Sequence, residues 1–360
     1  GNALAISVEC YSVYITPKNV RDAKNSAEII QGLADILEVD KAKVEEKVAK
    51  NSGFEYIKRR ISDEQAQSLR EKKYTGVGLT TEYKRSYPKG TLACHVLGFA
   101  GIDNQGLAGL ELYYDKDLTG TPGKLLLEVD SAQNNIPQSQ QEFIPAVEGY
   151  SVTLTLDETV QYITERELEK VYNEQQAAGA TAIVMNVKTG AVLGMANYPN
   201  FDPNNYGDVD AETWKNFAVN GTYEPGSTFK MVSSSMFLEE GVTSASDHYY
   251  CAGSMRISGY NFKCWRSYRP HGDQTFAQAV GNSCNPVMAQ VAFKLGYDKF
   301  YEYLRGFGFD RKTGIDLPGE EAGLTIGEKM KVIDAACNSF GQNINVNMVQ
   351  MAAAFSSLVN

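Results

Sequence analysis

The stretch that decides the fold is Tyr223-Glu224-Pro225-Gly226-Ser227-Thr228-Phe229-Lys230. A Pro-Gly pair ends a loop, and the apolar residues that follow predict a buried helix over residues 228–240. Because residues three apart share a helical face, we expect Ser227 and Lys230 to be in contact where this helix starts. A serine hydroxyl becomes a strong nucleophile when a neighbouring base takes its proton, and a buried, neutral lysine is such a base. The spacing therefore indicates a nucleophile at Ser227, with a structural N-cap as the alternative.

A second motif, Ser283-Cys284-Asn285, is the only Ser-x-Asn in the chain. Ser283 offers a hydroxyl that can relay a proton, and Asn285 offers both a donor and an acceptor to a peptide substrate. The alternative interpretation is a polar loop before Pro286. The motif supports the first interpretation only if the fold brings it to Ser227.

Three other strings look catalytic by composition alone. Ser86-Tyr87-Pro88-Lys89 repeats the Ser-x-x-Lys pattern, but its proline excludes a regular helix interior. Lys188-Thr189-Gly190 and Lys312-Thr313-Gly314 are predicted to lie in a hairpin turn and in a loop. A strand that pairs with a peptide substrate needs extended backbone with free hydrogen-bonding groups. We therefore expect none of the three strings to act on a substrate.

Composition excludes two classes of protein. The formal net charge of −10 lacks the basic footprint that a nucleic-acid-binding protein needs. No run of about 20 apolar residues occurs, so the sequence predicts no membrane-spanning helix within the chain.

A length of 360 residues predicts two domains, since domains hold roughly 100–200 residues each.

The two halves of the chain differ in their hydrophobic patterns. In the first half, alternation over residues 8–15 predicts a strand, apolar spacing over Ser26–Leu37 predicts a helix, and the polar run 133–141 is typical of an exposed loop. The second half opens near Gly149 with a predicted strand at 152–156, followed by a helix and a hairpin. Helices dominate after that hairpin. Strands followed by helices indicate a mixed α/β (α+β) fold, in which a sheet packs against helices.

A metal site is predicted between the two serine motifs. Cys251 and Cys264 flank a glycine turn that would bring both thiols together, and His271 and Asp273 follow shortly. Two thiolates, an imidazole and a carboxylate are suitable zinc ligands, with His248 as a rival for the third position. The alternatives are a disulfide between the two cysteines and a pair of buried free thiols.

The chain resembles the class B penicillin-binding proteins over nearly its whole length. The Ser-x-x-Lys and Ser-x-Asn motifs belong to the set that defines penicillin-binding proteins and class A β-lactamases. The order of the remaining matches follows that family as well: His95-Val96-Leu97-Gly98, Gly109-Leu110-Glu111, Leu154-Thr155-Leu156-Asp157, Phe201-Asp202-Pro203-Asn204, Thr313-Gly314-Ile315-Asp316 and Phe340-Gly341-Gln342. The segment Asn282-Ser283-Cys284-Asn285-Pro286 is most similar to the sporulation and division transpeptidases of spore-forming Gram-positive bacteria.

The resemblance implies a β-lactamase-like transpeptidase domain over residues 149–360, on an elongated, mixed, non-catalytic pedestal domain over residues 1–148. It implies a peptidoglycan D,D-transpeptidase that forms an acyl-enzyme on Ser227, with Lys230 as base, and that β-lactams acylate. No cofactor is required for that catalysis, so zinc would be structural. The family further implies an extracytoplasmic location on the cell membrane, an N-terminal membrane helix before residue 1, a Lys-Thr-Gly strand after residue 360, and a glycosyltransferase partner.

Other functions remain open at this point. A serine β-lactamase or a carboxypeptidase would hydrolyse the same acyl-enzyme, although the long first domain argues against both. A protein of another class would be a β-lactam sensor without turnover, or a scaffold of the division machinery or the spore wall. Cross-linking of stem peptides separates the transpeptidase from these alternatives.

Overall fold

The structure is a computed structural model that describes residues 2–126, 142–257, 259–323 and 330–360. It forms two compact units, one made of residues 1–90, 99–107 and 119–149, the other of residues 91–98, 108–118 and 150–360. The loop predicted at 133–141 lies outside the described residues. None of the helices in the described ranges is long and apolar enough to cross a membrane.

The elements up to residue 150 alternate between strands and short helices. In chain order they are β1 (Ile6–Ile15), α1 (Pro17–Arg21), α2 (Ser26–Leu37), α3 (Lys41–Ala49), β2 (Glu55–Ile61), α4 (Asp63–Lys72), β3 (Val77–Ser86), α5 (Cys94–Leu97), α6 (Gly109–Tyr113), α7 (Asp115–Leu118), β4 (Lys124–Leu126) and β5 (Glu142–Ile144). The strand predicted at 8–15 and the helix predicted at Ser26–Leu37 are both present as β1 and α2.

The first unit is built on an antiparallel sheet with the order β2-β1-β3. Alternate residues of the central strand β1 point into the core, where Val13 and Ile15 have no exposed surface. Helix α2 contributes its apolar stripe to the same core, including Leu33. Fully burying such a side chain stabilises the fold by roughly 1.5–3 kcal/mol. Ser62 and Gln65 form a capping box that fixes where α4 begins.

The elements after residue 150 are dominated by helices. In chain order they are α8 (Glu158–Glu174), β6 (Ala180–Met185), β7 (Val192–Tyr198), the 3-10 helices Pro203–Asp208 and Ala211–Trp214, α9 (Phe217–Asn220), the 3-10 helix Gly226–Phe229, α10 (Lys230–Glu239), β8 (His248–Cys251), β9 (Ser254–Ile257), β10 (Tyr260–Lys263), β11 (Gly272–Thr275), α11 (Phe276–Gly281), α12 (Asn285–Leu295), α13 (Tyr297–Gly306), α14 (Val332–Asn338) and α15 (Met348–Val359).

The second unit opens with a helix and a hairpin. The Asp157 side chain accepts a hydrogen bond from Val160 N at 2.9 Å and so caps α8. Strands β6 and β7 pair antiparallel around the turn predicted at Lys188-Thr189-Gly190. The strand predicted at 152–156 is absent, because this described segment lacks a ladder partner. Its hydrogen bonds to β7 come from the Thr155 side chain, whose Oγ1 donates to Val192 O at 2.7 Å, and from Asp157 N just after it, which donates to Leu193 O at 3.0 Å.

Helices α10 and α12 form the centre of the second unit. Phe237 on α10 and Met288 on α12 are fully buried in one apolar cluster, and Phe300 of α13 packs against Phe237 with ring centroids 6.4 Å apart. This cluster holds α10 and α12 in a fixed position, because well-packed interiors tolerate little displacement. The N-termini of these two helices therefore have a defined separation, and both serine motifs lie there.

Candidate active site

Ser227 lies in the 3-10 helix Gly226–Phe229, which runs directly into α10. The sequence predicted a regular helix here, and the tighter turn has a chemical consequence. A 3-10 helix has three residues per turn, so side chains at positions i and i+3 eclipse each other. Lys230 Nζ therefore lies 3.1 Å from Ser227 Oγ. Ser227 itself is exposed and open to a substrate.

Lys230 connects the two serine motifs. Its side chain is only 2% exposed, and its Nζ lies 2.8 Å from Ser283 Oγ, 2.9 Å from Ser283 O and 2.6 Å from Asn285 Oδ1. Ser283 Oγ in turn lies 2.9 Å from Ser227 Oγ. Two hydroxyl groups and one amine thus form a closed triangle of hydrogen bonds, in which a proton has a short path between any two members.

Burial decides the protonation of this amine. Desolvation lowers the pKa of Lys230 from its ordinary value to about 8, while the nearby Cys284 and Cys264 thiols act in the opposite direction. A buried ammonium loses its hydration, which favours the neutral form. The shift brings Lys230 into the range in which a lysine can accept a proton near neutral pH.

The Ser283-Cys284-Asn285 motif connects α11 to α12. Ser283 has a φ of +53°, in the left-handed region, and Cys284 is extended, with φ −82° and ψ 101°. One extended residue between Ser283 and Asn285 directs their side chains to one side and the Cys284 side chain to the other. The outer pair meets Lys230, and Cys284 is fully buried.

A neighbouring segment holds the loop that carries Ser227. Gly226 N donates to Gly341 O at 2.9 Å, and a Cβ built on Gly341 would collide with the Gly226 backbone. Glu224 Oε1 accepts from Asn343 N at 2.8 Å. Sequence reasoning gave Gly341 no role, because its contact with Gly226 joins segments more than 100 residues apart. Its positive φ of +74° also restricts this position to glycine.

The three other strings that look catalytic by composition do not contribute to the contacts among Ser227, Lys230, Ser283 and Asn285. Ser86 ends strand β3 of the first unit. Lys188-Thr189-Gly190 forms the turn between β6 and β7, as predicted. Lys312-Thr313-Gly314 lies in a loop, where the buried carboxylate of Glu320 accepts hydrogen bonds from Thr313 N at 2.7 Å and from Gly314 N at 3.0 Å.

A cluster of three thiols and an imidazole lies directly behind the Ser-x-Asn motif. One ligand atom from each of Cys251, Cys264, His271 and Cys284 lies within 4.8 Å of all the others. Burial raises the pKa of the Cys284 thiol to about 12 and also raises that of Cys264. All six cysteines of the chain are free thiols.

The predicted ligand Asp273 does not belong to this cluster. Strand β11 pairs with β8 so that Gly272 lies opposite Cys251, and strand alternation turns the next side chain, Asp273, to the opposite face. There its Oδ2 lies 2.8 Å from His248 Nδ1, and both side chains are exposed. Cys284 takes the fourth place instead. The structure thus brings the predicted ligands Cys251, Cys264 and His271 together and leaves Asp273 and its rival His248 outside the cluster.

Two family models match the chain. The penicillin binding protein transpeptidase domain matches residues 180–360, and the penicillin-binding protein dimerisation domain matches residues 1–154. The chain is 38% identical to stage V sporulation protein D of Bacillus subtilis strain 168 over 366 residues, which span 100% of this chain and 56% of that protein. It is 28% identical to peptidoglycan D,D-transpeptidase FtsI of Escherichia coli K12 over 363 residues, spanning 99% of this chain and 61% of that protein. The chain thus spans little more than half the length of these curated relatives.

Solved structures have the same fold. A crystal structure of a peptidoglycan synthetase from Bifidobacterium adolescentis superposes with a TM-score of 0.75 at 26% identity, covering 100% of this chain and 70% of that chain. Penicillin binding protein 2X from Streptococcus thermophilus superposes with a TM-score of 0.77 at 23% identity, covering 100% and 57% respectively. Taken with the two matching domains, these similarities establish that the chain belongs to the class B penicillin-binding proteins.

Proposed function

We propose that this chain carries the acylating half of a peptidoglycan D,D-transpeptidase active site. The observation that carries the proposal is the hydrogen-bonded triangle formed by Ser227 Oγ, Lys230 Nζ and Ser283 Oγ, with edges of 3.1, 2.8 and 2.9 Å. A nucleophile, a base and a proton relay in mutual contact match the requirements of acyl transfer. A relative that is 28% identical over 363 residues is named peptidoglycan D,D-transpeptidase FtsI.

The first step forms an acyl-enzyme. Ser227 Oγ bonds to the carbonyl carbon of the penultimate D-alanine of a stem peptide, and its proton passes to neutral Lys230. The C–N bond to the terminal D-alanine then breaks, and the leaving nitrogen takes that proton back through Ser283 Oγ. Backbone N–H groups, one of them from Ser227, stabilise the oxyanion that develops on the carbonyl oxygen.

The second step transfers the acyl group. An amine of a neighbouring stem peptide attacks the ester carbonyl, and its proton passes to Lys230, directly or through Ser283 Oγ. The C–O bond to Ser227 then breaks, and Ser227 Oγ takes that proton back from Lys230. The product is a peptide cross-link and free Ser227. A β-lactam enters the same first step as a substrate mimic, but its ring-opened product stays bonded to Ser227.

Asn285 has two roles in this proposal. Its Oδ1 accepts from Lys230 Nζ at 2.6 Å, which holds the amine in place between the two hydroxyls. The Asn285 amide group remains a donor for the peptide carbonyl of the substrate. Loss of Asn285 should therefore affect both the base and substrate binding.

A labelled penicillin tests the acylation step. The intact protein should retain the label on the tryptic peptide that contains Ser227, and Ser227→Ala should abolish labelling. Ser86→Ala is the matched control, because it removes the hydroxyl of the other Ser-x-x-Lys string, and labelling should persist. Label on any other serine would overturn the assignment.

Turnover separates the transpeptidase from its alternatives. Incubation with a donor stem peptide and an acceptor amine should release D-alanine and form a cross-linked dimer. Rapid hydrolysis of penicillin would instead indicate a β-lactamase, and hydrolysis of the stem peptide alone a carboxypeptidase. Acylation without any turnover would indicate a β-lactam sensor or a scaffold of the division machinery or spore wall.

We propose the remaining family properties for the whole protein. Residues 1–148 would serve as a non-catalytic pedestal and residues 149–360 as the transpeptidase domain. The protein would act outside the cytoplasm, anchored to the cell membrane, beside a glycosyltransferase that supplies glycan strands. Co-purification from detergent-solubilised membranes with a glycosyltransferase activity would test the last of these properties.

We further propose that Cys251, Cys264, His271 and Cys284 hold a structural zinc ion. Three cysteines and one histidine form a common closed, tetrahedral zinc site, and the four ligand atoms already converge. The His271 Nδ1 faces Cys264 Sγ at 3.5 Å. Zinc would deprotonate the thiols and brace the Ser283-Cys284-Asn285 segment from behind, without contact with the substrate.

A further inference from the structure

A short loop beside the Ser-x-Asn motif combines an exposed indole with two arginines. This loop, residues 264–270, joins β10 to β11, and we name it the Trp265 loop. Trp265 is 62% exposed, yet its Nε1 donates to Asn282 O at 2.9 Å, so the position of its ring is fixed next to Ser283. Tryptophan is highly buried on average, and an indole that is both exposed and anchored by its N–H can offer a fixed apolar face to a ligand.

The backbone of the Trp265 loop is also fixed. Cys264 N donates to Gly253 O at 2.9 Å, and Arg269 N donates to Arg266 O at 3.1 Å. Gly253, with a φ of +87°, lies so close that a Cβ there would be 2.8 Å from Ser267 O. The Trp265 loop is therefore a surface with a fixed backbone, next to Ser283.

Two guanidinium groups on this loop have no acidic partner among the described residues. In the parts of the chain that the structure describes, neither Arg266 nor Arg269 forms an ion pair, although the chain carries a net charge of −10. The Arg266 guanidinium carbon lies 5.8 Å from the centre of the Trp265 ring. Asp273, the acidic residue of the adjoining strand β11, lies 2.8 Å from His248 Nδ1 through its Oδ2. An unpaired arginine beside an aromatic face suits a ligand that carries a carboxylate on an aliphatic stem.

We propose that the Trp265 loop is a subsite for a side-chain carboxylate of the stem peptide, so that the protein prefers stem peptides in which that carboxylate is free over those in which it is an amide. The inference rests on the proposed function, because it places the same substrate beside Ser283. Trp265 contacts the aliphatic part of the peptide, and Arg266 pairs with the carboxylate. Arg269 adds a second, more exposed positive charge.

A binding experiment tests the subsite without requiring turnover. Two synthetic stem peptides ending in D-Ala-D-Ala are compared, one with a free side-chain carboxylate and one with that carboxylate as an amide. Ser227→Ala protein, which cannot form the ester, should bind the free acid roughly tenfold more tightly, a ratio that corresponds to about 1.4 kcal/mol of binding free energy. This value is close to the lower end of what a hydrogen bond to a charged group contributes. Adding Arg266→Ala should abolish this preference and leave the affinity for the amide unchanged within about twofold. The preference should also weaken at high salt.

Arg305→Ala, added to Ser227→Ala, is the matched control, because Arg305 lies on α13 and pairs with Asp310. It removes the same charge and should preserve the preference. Equal affinities for the two peptides, or a preference that survives Arg266→Ala, would refute the subsite. If another acidic protein or a membrane were the real occupant, the two peptides would also bind equally. Absence of penicillin labelling on Ser227 in the wild type would instead refute the proposed function, so the two failures are distinguishable.

Discussion

Gly226 and Gly341 meet through their backbones, with Gly226 N donating to Gly341 O at 2.9 Å immediately before the nucleophile. Gly341 has a φ of +74°, and an added Cβ would collide with the Gly226 carbonyl group. Gly341→Ala must therefore displace the loop that carries Ser227. We expect the second-order rate constant of penicillin acylation to fall at least tenfold, with a loss of stability of about 1–3 kcal/mol.

Gly308→Ala is the matched control for that change. Gly308 has a similar φ of +82°, but the nearest atom to an added Cβ is Arg311 Nε, at 4.0 Å. It should lose stability through backbone strain and keep its acylation rate. Equal acylation rates for the two variants, measured by stopped flow beside thermal unfolding, would contradict a positioning role for Gly341.

Lys230 should set the pH dependence of acylation. Its pKa is lowered to about 8 by burial, and the neutral form is the base, so acylation should rise with pH through about 8 and then level off. The Lys230→Arg variant keeps its positive charge, so its rate constant of acylation should be lower by roughly 100-fold or more. A rate constant that is flat between about pH 6 and 9 would show that another group is the base.

Two substitutions at Ser283 separate the backbone strain at this position from the role of its hydroxyl in acylation. Its φ of +53° is costly for a residue with a Cβ, by about 1 kcal/mol or more. Ser283→Gly should therefore unfold at a higher temperature than Ser283→Ala. Both variants lack the hydroxyl and should lose acylation to a similar extent, roughly 100-fold. If Ser283→Gly were to acylate at the wild-type rate, Ser283 would not be a proton relay.

Cys284 and Asp273 distinguish the two zinc ligand sets. Protein with Cys284→Ser should contain far less zinc than the wild type, and its unfolding temperature should become insensitive to a chelator. Asp273→Ala should retain its zinc, because Asp273 faces away from the thiols. Elemental analysis of purified protein decides this. Zinc lost from Asp273→Ala and kept in Cys284→Ser would restore the original ligand prediction.

The local elements were predictable because their signals are local. The apolar spacing of Ser26–Leu37 marks α2, and the Pro-Gly pair before Ser227 marks the start of the next helical turn. The contact of Ser227 with Lys230 also follows from spacing alone. The prediction of a strand at 152–156 was wrong. Alternation of apolar and polar residues describes one strand alone, whereas the partner strand must be provided by the tertiary structure.

The long-range parts of the site could not be predicted. Cys284 lies close to the other thiols because β11 pairs with β8 and because α11 ends just before the Ser283-Cys284-Asn285 motif. The spacing of the cysteines in the sequence predicts neither relationship. The one signal in the sequence for this ligand was a third cysteine, Cys284, that follows Cys251 and Cys264 along the chain. Gly341 approaches Gly226 through a contact between distant segments. No periodicity encodes such a contact.

The extended backbone of Cys284 has a consequence for drug resistance. Ser283 and Asn285 contact Lys230, beside the serine that a β-lactam would acylate under the proposed function, whereas the sulfur between them points into the protein core. A mutation at position 284 would shift both neighbours at once, although the Cys284 side chain itself is fully buried. Clinical surveys that examine only residues in contact with the inhibitor would overlook such an allele.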